Sequence, residues 1–233
     1  EYSQLPVFIP TADQEQHPDS VPVLIVGAGP VGLAMAIDLA QQGIQSVVVD
    51  SKTQVSVGSR AICWAKRTLE IFDRLGVGDQ MVEKGVTWKV GRLFNGEREV
   101  YSFDLLPEDG HKFPAFVNLQ QYYVEEFLVD RARTFADLID LRFGNEVLSH
   151  EEQGDSVLVS VRSGSKTYQL KANYLLACDG ANSPTRKRMN LPFEGVGFEE
   201  RFLIADVKMN ADFPSERWFW FNPPFHPGQS ALL

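Results

Sequence analysis

The apolar positions near the start of the chain change their period twice. Val21–Val26 is an apolar run of strand length, the pattern of a strand buried on both faces in a parallel sheet. Leu33, Ala36, Ile37 and Ala40 then recur at i, i+3, i+4 and i+7, one stripe of an amphipathic helix. Gly43 follows where a C-terminal cap belongs. Val47-Val48-Val49 is a second buried run, ending at Asp50. Strand, glycine turn, helix, glycine and strand compose one βαβ unit.

Helical spacing returns at Arg60–Leu75, through Leu69, Phe72 and Leu75. It returns again at Gln121–Phe135, with Val124, Phe127, Leu128 and Phe135 inward. Val86–Phe94 and Arg98–Phe103 read as strands flanking Asn95-Gly96, a two-residue hairpin signal. Residues 105–115 form a loop, and Leu138–Phe143 is a short strand. Segments at 147–152, 156–162 and 166–171 are separated by Gln153-Gly154-Asp155 and Ser163-Gly164-Ser165. They form an antiparallel meander whose packed face carries Val157, Val159 and Val161. Tyr174–Ala177 is a further buried strand, and Arg201–Met209 and Arg217–Phe221 complete the strand pattern. Residues 1–20 are polar, with Pro6, Pro10 and Pro18, and are expected to be a loosely held extension. Leu232-Leu233 closes an apolar run without a cap or charged tail, so the chain is expected to be part of a longer protein.

Composition narrows the function classes. The 233 residues are 44% hydrophobic and 23% charged, which excludes a disordered chain or a disulfide mini-protein. The net charge of −9 argues against nucleic acid as a partner, since phosphate contacts need clustered cations. The longest uncharged apolar stretch, Val21–Ile37, is short for a membrane span and carries Gly27, Gly29 and Gly32. Cys63 and Cys178 are far apart and match no metal-ligand spacing with the histidines, so no metal is expected. The expected setting is cytoplasmic, without a membrane.

The chemistry begins at Gly27-Ala28-Gly29-Pro30-Val31-Gly32, which follows a strand and opens a helix. Gly27 allows the tight turn, Gly29 lets backbone approach a pyrophosphate, and Gly32 lets helix and strand pack closely. The helix start offers free N–H groups and a positive dipole end to phosphate. Asp50, at the end of the second strand, is placed to accept hydrogen bonds from a ribose diol, and it would repel the 2′-phosphate of NADP. The unit binds a dinucleotide; NAD and FAD share its ADP half, and this unit alone does not choose between them.

Four features resemble the flavin-dependent aromatic hydroxylases, the class A FAD monooxygenases typified by p-hydroxybenzoate hydroxylase. They are the glycine fingerprint with Asp50; Gly58-Ser59-Arg60-Ala61 and the following Arg67–Gly76; Gln121-Tyr-Tyr-Val-Glu125-Glu-Phe-Leu128; and Cys178-Asp179-Gly180-Ala-Asn-Ser183-Pro-Thr-Arg186. The subgroup most resembled is the 3-(3-hydroxyphenyl)propionate hydroxylase type with its phenolic relatives.

The resemblance implies an α/β fold: a Rossmann-like FAD-binding domain of glutathione-reductase type with an antiparallel meander, plus the start of a β-sheet substrate domain. The implied boundaries are 1–20 for the extension, 21–86 and 117–190 for FAD binding, and 87–116 and 191–233 for a partial substrate domain. Implied cofactor contacts are the fingerprint residues, Asp50, Ser51, Arg60, Gln121, Val147, Asp179 and Gly180. Arg60 would be a cation for the FAD pyrophosphate or flavin side, and Gln121 a hydrogen-bonder for ribityl hydroxyls. Asp179 would bind a ribose or ribityl hydroxyl or cap the helix near Ser183, and Arg186 would support the Asp-Gly loop. Trp218 and Trp220 share one strand face and could wall an aromatic pocket; core or subunit-interface packing is the other reading.

The implied activity is hydroxylation of a phenolic ring with NADH or NADPH and O2 through a flavin C4a-hydroperoxide, with the cofactor carrying the chemistry. No catalytic side chain is assigned. The family's second, Gly-Asp flavin motif has no match here, so this chain alone is expected to be inactive. A homodimer is compatible. The alternatives are an FAD- or NAD-dependent oxidoreductase without oxygenation, or a non-catalytic nucleotide-binding module.

Overall fold

The structure, a computed structural model, describes residues 2–58, 61–199, 201–205, 207–208 and 210–233. It divides into two compact units, one of residues 1–58 and 121–203 and the other of residues 59–120 and 204–233.

The first unit is built on a six-stranded sheet. Its order is Ile139–Phe143, Ser46–Asp50, Asp19–Val26, Lys166–Ala177, Ser156–Ser163, Asn145–Gln153. The first four strands run parallel, and the last three form the antiparallel meander. Its two tight turns carry Gly154 and Gly164 at φ +62° and +60°, a region that favours glycine. The helix Pro30–Gln41 buries Leu33, Ala36, Ile37 and Ala40, and the helix Gln121–Arg133 packs beside it. Leu24, Val26, Val47 and Val49 join Val159, Val161, Tyr168 and Leu170 in one buried cluster. Alternation along each strand sends Ile25 and Val48 to the opposite face.

The second unit holds two small sheets. One is ordered Ser230–Leu232, Arg217–Phe221, Val90–Asn95, Arg98–Asp104, and the other Cys63–Ala65, Phe116–Asn118, Val86–Trp88. The Asn95-Gly96 hairpin forms as expected, with Gly96 at φ +60°.

Several sequence expectations need correction. The helix expected over Arg60–Leu75 begins at Lys66, because Cys63–Ala65 pairs instead with Phe116–Asn118; Arg60 itself lies outside the described residues. The strand expected over Val86–Phe94 is two strands in different sheets, broken at Lys89. The two segments at 166–171 and 174–177 are one continuous strand, and Tyr174 on it is 68% exposed rather than buried. Among the described residues of 201–209 there is no strand: Phe202 and Leu203 are exposed, and no neighbour there takes up the ladder hydrogen bonds. Asp206 and Met209 lie outside the described residues. In the 121–133 helix the innermost positions include Glu125, Val129 and Ala132, while Phe127 and Phe135 are half-buried. Residues 2–18 are not loose. They carry a helix at Ala12–Gln16, capped by Thr11, and bury Leu5.

One buried polar network ties the meander to that leading segment. The Tyr168 hydroxyl donates to Asn145 Oδ1 at 2.9 Å, and the Asn145 amide donates to the carbonyls of Phe143 and Phe8. The Arg142 guanidinium lies over the Phe8 ring at 4.2 Å and pairs with Asp140 and Asp19. Burial pushes the Tyr168 phenol above its ordinary value, so it stays a donor. Tyr168→Phe is expected to lower stability by about 1–2 kcal/mol, because the Asn145 carbonyl loses its buried donor. Urea unfolding would show this as a lower midpoint at unchanged slope.

Candidate functional site

The site forms where three parallel strands of the first unit end, at Val26, Asp50 and Ala177. Gly27 leaves the first strand at φ +108° and donates its N–H to the Val49 carbonyl at 2.8 Å. A Cβ on Gly27 would sit 2.4 Å from the Cys178 carbonyl oxygen. A Cβ on Gly32, in the first helical turn, would sit 1.9 Å from the Gly27 carbonyl oxygen. Both obstacles are backbone, so only glycine fits at either place, and helix, turn and strand lock together. Gly29 differs: a Cβ there meets nothing within 4 Å. Gly29 is also the cap residue of the Pro30–Gln41 helix, and no side chain caps it. The first-turn amides of Val31 and Gly32, next to Gly29 in the chain, therefore lack an intrahelical acceptor.

Asp50 closes one side of this space. Its Oδ2 accepts from the Ala28 N–H and its Oδ1 from the Lys52 N–H, each at 2.8 Å. Each oxygen keeps a further lone pair. A cavity beside it is lined by Ala28, Gly29, Asp50, Lys52, Val55 and Glu125, among others. Ser51, next in the chain, is exposed.

Cys178 and Asp179 lie against the glycine turn, since Gly27 abuts Cys178 and the Asp179 backbone and Gly32 abuts Cys178; Gly180 follows at φ +82°. Asp179 Oδ1 accepts from the Ser183 hydroxyl at 2.5 Å, and Oδ2 accepts from the Thr185 N–H at 2.9 Å. Burial raises the Asp179 pKa, but these hydrogen bonds outweigh it and hold the carboxyl below its ordinary value. Arg186 donates to the Ala181 carbonyl at 2.8 Å, bracing the same loop. Burial, with the Asp179 charge, pushes the Cys178 thiol up, which suits a packing residue.

Gln121 opens the second helix. Its Nε2 donates to Glu125 Oε1 at 2.7 Å and approaches Ser56 Oγ at 3.4 Å. Glu125 is only 4% exposed and also accepts from the Ser56 N–H and hydroxyl, each at 2.6 Å. Sequence reasoning assigned Glu125 no role. Its signal was an acid one turn after Gln121 on the face of Val124 and Leu128. Val147 is placed differently from the rest: its side chain is in the core cluster and its carbonyl accepts from Arg188. Trp218 and Trp220, in the second unit, share a face with Phe94, whose ring is 5.3 Å from each. The Trp218 indole N–H donates to Glu216, which also pairs with Arg92. The Arg92 guanidinium holds the Glu216 carboxyl well down, at about 2.

Two expectations follow. Gly32→Ala drives a methyl into a fixed carbonyl and is expected to cost at least about 3 kcal/mol, whereas Gly29→Ala, at φ −80° in open space, stays within about 0.5 kcal/mol of the parent. Chemical denaturation of the two variants checks the contrast. Asp179→Asn is expected to cost about 0.5–1 kcal/mol at neutral pH, as for a partly solvated lost cap. The Asp179 pKa is lower folded than unfolded, so its contribution is present above the ordinary value of 3.8 and fades as pH falls through the folded value. Thermal melts of both forms should therefore converge in acid.

Comparison with known proteins places this geometry. Residues 20–231 match the family described as FAD binding domain. The chain is 34% identical over 195 residues to a flavin-dependent monooxygenase of Mycobacteroides abscessus, covering 80% of this chain and 41% of that protein. It is 33% identical over 205 residues to a probable NADH-specific resorcinol 4-hydroxylase of Rhodococcus jostii, covering 84% and 37%. Among solved structures, p-nitrophenol 4-monooxygenase from Pseudomonas putida superposes with a TM-score of 0.71 at 27% identity, over 76% of this chain and 46% of that one. The flavin-dependent monooxygenase PieE, solved with FAD and substrate, superposes with a TM-score of 0.69 at 26% identity, over 77% and 34%. The chain thus spans about two fifths of the length of these curated relatives. Among the described residues no helix is long and apolar enough to cross a membrane. With its fingerprint, Asp-Gly turn and nearly full-length match, the chain belongs to the FAD binding domain family.

Proposed function

We propose that this chain supplies the FAD-binding part of a flavoprotein hydroxylase that acts on a phenolic ring with NADH or NADPH and O2. The observation that carries the reading is the open space at Gly29, next to uncapped first-turn amides and flanked by Asp50. That space fits a pyrophosphate, and the neighbouring carboxylate fits a ribose. The relatives support the chemistry: their names include hydroxylases of resorcinol and of 3-(3-hydroxy-phenyl)propionate, and a nitrophenol monooxygenase.

When bound, FAD supplies hydride acceptance from the nicotinamide and the activation of O2. The protein's own residues bind and orient. Gly29 gives the pyrophosphate access to the Val31 and Gly32 amides, and the helix dipole favours its charge. Asp50 offers its remaining lone pairs to the ribose hydroxyls while holding the glycine loop. The Gln121 amide is oriented by Glu125: Nε2 is engaged by the carboxylate, so Oε1 is left to accept from a ribityl hydroxyl. Asp179, held ionised, serves a hydroxyl on the other side of the glycine turn.

In this reading the first unit is a Rossmann-like domain of glutathione-reductase type. The second unit is the beginning of a substrate domain, and Phe94, Trp218 and Trp220 are its aromatic surface.

The test is the visible spectrum of the purified chain after addition of FAD and desalting. Retained flavin absorbance is expected, and a colourless protein counts against the reading. Gly29→Val fills the pyrophosphate space without a backbone clash. It is expected to keep its stability and to weaken FAD binding at least about tenfold.

A further inference from the structure

The leading segment, Tyr2–Phe8, is anchored to the loop that follows Asp50. The Leu5 N–H donates to the Thr53 carbonyl at 2.8 Å, and Gln4 bridges Gln54 through an antiparallel backbone contact and a 2.6 Å side-chain hydrogen bond. The Tyr2 hydroxyl accepts from the Gly58 N–H at 2.7 Å, and its ring meets Tyr122 edge-on at 5.2 Å. Val7 and Phe8 extend along Phe143, where the Phe8 N–H donates to the Phe143 carbonyl at 3.1 Å. Leu5 and Gln4 therefore hold the loop at Thr53 and Gln54, and Tyr2 holds its end at Gly58.

That loop does two things for the site. It starts from Asp50, whose Oδ1 accepts from Lys52. It also carries Ser56 to Glu125, and thereby shares the carboxylate that orients Gln121. Glu125 grips the loop from the helix side and the leading segment grips it from outside. Leu5 is 7% exposed, and it lines the same cavity as Gly29, Asp50 and Val55. A loop of eight residues pinned on both sides keeps these groups in place before a ligand arrives, which reduces the ordering cost of binding. The whole segment precedes the family match, which begins at residue 20.

We propose that Tyr2–Phe8 is a strap that fixes the loop between Asp50 and Gly58 and so slows the release of bound FAD, with Tyr2 and Leu5 as positioning residues. The strap acts through the loop, not by touching the reacting ring, and the inference rests on the reading of this site as the FAD site.

The experiment measures FAD release from the full chain by stopped-flow fluorescence, alongside urea unfolding of the FAD-free chain. Tyr2→Phe keeps the ring and its hydroxyl is lost, so Gly58 loses its acceptor; Leu5→Ala opens the cavity wall; Leu5→Met restores the volume. Thr11→Ala weakens the cap of the Ala12–Gln16 helix away from the loop and serves as the control. The strap predicts about threefold to tenfold faster release for Tyr2→Phe and Leu5→Ala, near-parental release for Leu5→Met and Thr11→Ala, and faster amide exchange at Gly58 in Tyr2→Phe. Unchanged release in Tyr2→Phe and Leu5→Ala overturns the proposal, and so does slower release, which would mark Leu5 as a plug. If the parent chain binds no FAD, the site reading falls and the strap falls with it; binding with unaltered release removes the strap alone.

Discussion

The absence of a side chain at Gly27 and Gly32 is the constraint on which the rest of the site depends. With a Cβ at Gly32 blocked by the Gly27 carbonyl, and one at Gly27 blocked by Cys178, the helix start, the strand end and the Asp-Gly turn can meet only as bare backbone. That meeting aims the uncapped helix N-terminus at the carboxyl edge of the sheet. It is also where open α/β sheets place their ligands. Gly29 has the opposite role in the same six residues, since its missing side chain leaves room rather than permitting contact.

Around this frame, three carboxylates are spent on backbone amides. Asp50 holds the glycine loop to Lys52, two residues past its own strand, Asp179 holds the short helix at Pro184–Arg188, and Glu125 holds Ser56. Each removes a loop's freedom before any ligand binds, and each retains acceptor capacity. Glu125 is the most buried of the three. It receives three short hydrogen bonds, which is what a buried acid requires. The consequence is a site whose polar groups are oriented by one another, while the apolar sheet beneath supplies the rigidity.

Much of this was legible in the chain. The runs Val21–Val26 and Val47–Val49 announced parallel strands, with both faces covered at Val23–Val26 and Val47–Val49 though Pro22 is exposed, and the glycine spacing announced the turn because each glycine answers a distinct steric demand. What local pattern could not show was pairing over distance. Cys63–Ala65 became a strand because Phe116–Asn118 lies beside it, and residues 201–205 stayed without a ladder for want of such a neighbour. Polarity misled in one place. The leading segment looked detachable, yet Leu5 and Phe8 find partners far along the chain. Glu125 carried no local sign of its role, since its partner Ser56 is 69 residues away.

Under the proposed function, the Gly29 space and the helix start behind it receive the cofactor's phosphates. The most direct measurement is a two-dimensional amide NMR titration of the nitrogen-15-labelled chain with FAD. The Gly29, Val31 and Gly32 amides are expected to shift first and farthest, with Lys52 and Ser56 following through Asp50 and Glu125. FAD binding that moves amides elsewhere and leaves these still would contradict it.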